Sequence, residues 1–69
     1  MNTFALITQK IESMDVQVAY DIVRTMGGGF LADEHARMVR AAAYQAIENK
    51  LGTEAMDALM DEVSPGWRD

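Results

Sequence analysis

The sequence contains no cysteine, one histidine (His35), one proline (Pro65) and one tryptophan (Trp67) in 69 residues. Without thiols there is no disulfide staple, no nucleophilic cysteine and no thiolate ligand for a structural zinc. A lone imidazole makes a histidine-based metal site implausible as well. On a helix, His35 would need acidic ligands one turn away, at 31, 32, 38 or 39, and those positions are Leu, Ala, Met and Val. No H-E-x-x-H or E-x-x-H pattern occurs. We therefore expect neither a metal nor a cofactor.

Nucleophilic catalysis is equally poorly equipped. The only serines are Ser13 and Ser64, with no G-x-S-x-G context around either. The stretch Asp33-Glu34-His35-Ala36-Arg37 gathers acid, imidazole and guanidinium side chains, but it reads as the start of a helix with a solvated histidine. The chain is expected to be non-enzymatic.

Long apolar runs are missing too. The stretch Phe4 to Ile7 is four residues, far short of the ~18 that a membrane span needs, and no basic leader precedes it. The expected setting is the cytoplasm, away from any membrane.

Positive charge is scarce: six Lys and Arg stand against eleven Asp and Glu, a net charge of −5. Residues 1–30 hold three acids and two bases, and residues 31–51 hold three of each. The last eighteen residues hold Glu54, Asp57, Asp61, Glu62 and Asp69 against Arg68. An acidic chain repels the phosphate backbone, so nucleic acid is disfavoured as a partner.

What remains is helical periodicity. Asn2 or Thr3 can cap a first helix over about 3–26, with Phe4, Ile7, Ile11, Met14, Val18 and Ile22 spaced by three and four along one face. Ser13 and Asp15 are good N-caps and could split this segment in two. The apolar register crosses them without slipping, which favours one continuous helix.

The run Gly27-Gly28-Gly29 then reads as a turn. Gly27 suits the positive φ at a helix C-terminus, Phe30 and Leu31 are expected to pin the turn to the core, and Asp33 caps the next helix with Glu34 beside its dipole. A phosphate-binding loop would need Lys and Ser or Thr where Phe30 and Leu31 stand.

The second helix is expected over about 33–51. Met38, Val39, Ala42, Ala43, Ala46, Ile47 and Leu51 face inward, while Arg37, Arg40, Gln45, Glu48 and Asn49 face outward, with Arg37 paired to Asp33 or Glu34. Gly52 ends that helix, Thr53 caps a third over about 53–63, and residues 64–69 form a tail stopped by Ser64-Pro65-Gly66.

The fold class is thus all-α: one compact domain over 1–69, with three helices, or four if the first segment breaks at Ser13. Chains this short draw only about 3–5 kcal/mol from a single core. With disulfides and metals excluded, a homodimer is the expected remedy.

Functionally, the sequence points to a small regulator, adaptor or inhibitor that binds a protein partner of unknown identity through helix surfaces. Met56, Leu59 and Met60 line one side of the third helix, and methionine suits adaptable binding surfaces. Glu54, Asp57 and Asp61 form an acidic ridge opposite. Trp67 either folds back onto the core or serves as an anchor of the kind enriched at interfaces; fold-back is favoured. The alternative is a dimeric helix-turn-helix DNA binder contacting phosphates through Arg37, Arg40 and Lys50.

Overall fold

The computed structural model describes residues 2–67 and is helical throughout its regular structure, with no strand among the described residues. Four helices follow one another: α1 (Thr3–Glu12), α2 (Val16–Met26), α3 (Glu34–Leu51) and α4 (Thr53–Val63). Met1 and the last two residues of the expected tail, 68 and 69, lie outside the described residues.

The expected continuous first helix is broken, and the cause is local chemistry at both ends of the gap. Asn2 caps α1, its side-chain oxygen accepting the Phe4 N–H at 2.8 Å. Ser13 closes the same helix, its hydroxyl donating to the Lys10 carbonyl at 2.7 Å. Asp15 opens α2 by accepting the Gln17 N–H at 2.9 Å. Lys50 then reaches in from α3 and donates to the carbonyls of Glu12 and Met14, both at 2.9 Å. Carbonyls orphaned at a helix end need such partners. The break also shifts the apolar register. The buried residues of α2 are Ala19 and Val23, one position beyond the extrapolated Val18 and Ile22, while Met14 is 40% exposed.

Helix α3 is the wall on which α1, α2 and α4 all pack. Its inward stripe is Ala42, Ala43, Ala46 and Ile47, each at most 1% exposed. Ile11, Ala19, Val23 and Leu59 close the core around it. Half of these eight buried residues are alanines, which lets the helix backbones approach closely but hides little apolar area. The molecule is correspondingly thin, 34 × 28 × 18 Å, and its least dimension is close to two helix diameters of about 10 Å. Met38 and Val39 are only half-buried, and Leu51, expected inside, is exposed because α3 ends there at Gly52.

The glycine turn forms as the spacing predicts, with a different fastening. Gly27 adopts φ +74° and its N–H donates to the Val23 carbonyl at 2.8 Å. Gly28 passes so close to α4 that a methyl group there would run into Ser64 and the Val63 carbonyl. Phe30 does not pin the turn; its ring is 87% exposed. Cations hold the loop instead. One guanidinium nitrogen of Arg40 donates to the carbonyls of Gly27 and Gly29, both at 2.7 Å. Arg37 donates to those of Leu31 at 2.6 Å and Ala32 at 3.1 Å.

Asp33 caps α3 as expected, accepting the His35 N–H at 3.0 Å. Thr53 does not cap α4: the N-cap residue is Gly52, and the Thr53 hydroxyl donates to the Glu48 carboxylate at 3.1 Å. No described helix is long and apolar enough to cross a membrane.

Candidate functional site

Helix α4 is held to the rest by Leu59 in the core, by Ala55, Met56 and Val63 packed against it, and by an ion pair to α2. Leu59 is 2% exposed and fills the core, so the methionine face is divided by depth. Met56 is half-buried and packs against the core cluster, and Met60 is half-buried. Only parts of these two thioether side chains are presented outward.

Glu62 fixes the other edge of α4 by accepting two hydrogen bonds from Arg24 of α2, at 2.7 Å to Oε2 and 3.0 Å to Oε1. Bonding to Arg24 holds the Glu62 carboxyl below its usual range. The same pairing raises the Arg24 guanidinium, which also lies 5.2 Å from the centre of the Tyr20 ring. About half of each partner's side chain is exposed, so the pair orients α4 more than it stabilises it.

The acidic ridge runs beside this pair. Glu54 and Asp61 are exposed and Asp57 is half-buried. Trp67 folds back onto the ridge and not onto the core cluster: its backbone N–H donates to the Ser64 carbonyl at 3.1 Å, and its indole N–H donates to Asp61 Oδ1 at 2.7 Å. With 38% of its surface exposed, the indole is tethered by its polar edge and offers part of its apolar face to the outside. Tryptophan is well suited to this division of labour. Met56, Met60, Glu54, Asp57, Asp61 and Trp67 thus belong to one helix and the turn that follows it.

The three cations proposed for phosphate contact are arranged differently from the sequence expectation. Arg37 bonds neither Asp33 nor Glu34. Arg37, Arg40 and Lys50 each donate to two backbone carbonyls, closing the α2–α3 loop and the α1–α2 junction. A guanidinium or ammonium reaching a chain end caps the exposed carbonyl dipoles. In the sequence these residues look like a solvated basic face, because their acceptors are main-chain atoms that leave no signature in side-chain charge.

The sequence reading also missed a groove. Val18, Asp21, Ile22, Thr25 and Met26 of α2, with Val39 of α3, line an open surface groove of about 310 Å³ whose lining is mainly apolar. The signal was present, since α2 carries apolar residues on two faces: Ala19 and Val23 inward, Val18, Ile22 and Met26 toward the groove. No group of His, Cys, Asp or Glu that could hold a metal occurs among the described residues.

Compared with known protein families, with curated proteins and with solved structures, the chain matches none of them.

Proposed function

We propose that this chain is a non-enzymatic protein-binding module, a regulator, adaptor or inhibitor that acts as a homodimer in the cytoplasm and meets its partner with the outer face of α4. The observation that carries the proposal is the grouping on α4 of half-exposed Met56 and Met60, the carboxylates of Glu54, Asp57 and Asp61, and a tryptophan tethered to Asp61. Polarizable thioethers and a partly exposed indole supply adaptable apolar contact. The carboxylates along one flank of this face favour a partner with basic groups beside an apolar anchor, through charge complementarity across the interface.

The test compares the wild-type chain with Met60→Asp in capture from the native cell, read by mass spectrometry, with circular dichroism on both. The expected result is loss of the partner with helicity retained. A captured set unchanged by the substitution would overturn the role of this face, and an unfolded variant would place Met60 in the core. No observation favours the helix-turn-helix alternative: Arg37, Arg40 and Lys50 all donate to backbone carbonyls of this chain.

A further inference from the structure

We propose that a second copy of this chain docks on the groove between α2 and α3, with the Phe30 ring of each copy seated in the groove of the other. This rests on the homodimer proposed above and assigns its contact.

Phe30 is the most exposed of the large apolar side chains, at 87%. It is also presented from a fixed support. Arg40 holds the carbonyls of Gly27 and Gly29 on one side of it, and Arg37 holds those of Leu31 and Ala32 on the other. The ring stands 5.9 Å from the Arg37 guanidinium carbon. A large apolar ring on a pinned loop loses little conformational freedom when it is covered, which favours its use as an anchor.

The groove is the matching feature on the same molecule. It is an open apolar depression of about 310 Å³, against which one large side chain can lie. Met26 forms part of its wall and Phe30 follows four residues later, so anchor and receptor lie at opposite ends of the same glycine turn. A two-fold axis near that turn lets both copies make the same exchange at once, the self-complementary arrangement a closed dimer requires.

Charge selects a second copy over a basic partner at this place. Residues 16–51 carry four acids (Asp21, Asp33, Glu34, Glu48) and four bases (Arg24, Arg37, Arg40, Lys50), and are neutral as a segment. Residues 52–69 carry five acids and one base, which is four of the five net negative charges. Two copies meeting through α2 and α3 do so across neutral segments, whereas a basic partner finds its attraction on α4. The need is also present, because a core half made of alanine in a chain this short leaves burial to be gained by association.

The experiment is sedimentation equilibrium on the full chain, on Phe30→Ala, on Thr25→Arg and on an equimolar mixture of the two variants. Phe30 and Thr25 are both exposed, so helicity by circular dichroism should match the wild type. The expected wild-type mass is twice that of the chain at micromolar concentration. Each variant homodimer loses both anchor contacts and should weaken about a hundredfold, about tenfold per contact. The mixture should associate more tightly than either variant alone, because the Thr25→Arg chain still offers Phe30 to the open groove of the Phe30→Ala chain. A dimer indifferent to both substitutions overturns this docking site and leaves the homodimer standing. A mixture no tighter than its components overturns the Phe30 exchange. A monomeric wild type overturns the homodimer and the site together.

Discussion

Replacing Ile47 with alanine should leave the chain largely unfolded at 37 °C. Ile47 is fully buried and belongs to the α3 stripe that the other three helices share. Truncation of a buried isoleucine costs about 2–5 kcal/mol, with the higher values where the surroundings cannot collapse into the space. Its neighbours Ala42, Ala43 and Ala46 are already minimal and held by helix geometry, so relaxation is limited. At roughly 0.05–0.15 kcal/mol per residue, a chain of this length has a total stability of about 3–10 kcal/mol. For a chain this short, whose single core supplies only about 3–5 kcal/mol, the loss is comparable with the whole. Urea titration followed by circular dichroism measures it. Ile47→Val, which costs about 0.5–1.5 kcal/mol, should remain folded. A loss below about 1 kcal/mol for the alanine variant would show that α3 is not the shared wall.

The second large effect is expected at Arg40, a residue whose sequence context suggests a solvated position. Arg40→Met keeps a long aliphatic stem and good helix propensity but removes the donor shared by the Gly27 and Gly29 carbonyls. Hydrogen bonds to charged groups contribute about 1.5–3 kcal/mol each. The Gly29 carbonyl can regain water, so the net loss should be near the value for one such bond. For a domain of this size that lowers Tm by roughly 6–24 °C. Arg37→Met, whose bonds lie on exposed backbone, should lose less than about 1 kcal/mol. Equal and small losses from both substitutions would mean that the glycine turn holds without its cations.

These effects mark where the sequence was legible and where it was not. The end of α2, both ends of α3 and the last turn of α4 were readable because their signals are local: Asp33 caps its own helix, Gly27 and Gly52 close theirs, and Ser64 with Pro65 stops the last. The split between α1 and α2 was only half legible. Ser13 and Asp15 announce it, but the one-residue shift of apolar register at the junction depends on how the chain turns. The bonds from Lys50 arrive from 36 and 38 residues away.

Depth was not legible at all. Periodicity puts Met56, Leu59 and Met60 on one stripe without saying that Leu59 alone is buried to its tip. It also assigned Leu51 and Phe30 inward on hydrophobicity, although one stands at a helix end and the other on an open turn. In a molecule about two helices thick, every apolar residue lies near the surface, and hydrophobicity alone cannot tell core from contact face.

The candidate face on α4 and the groove on α2 and α3 both depend on α3 being the element that opens last. Amide hydrogen exchange at neutral pH tests this directly. The slowest amides should be those of residues 42–47, exchanging only through global unfolding, with α1 and α4 opening earlier. Protection in the middle of α3 no greater than in α1 or α4 would contradict the account.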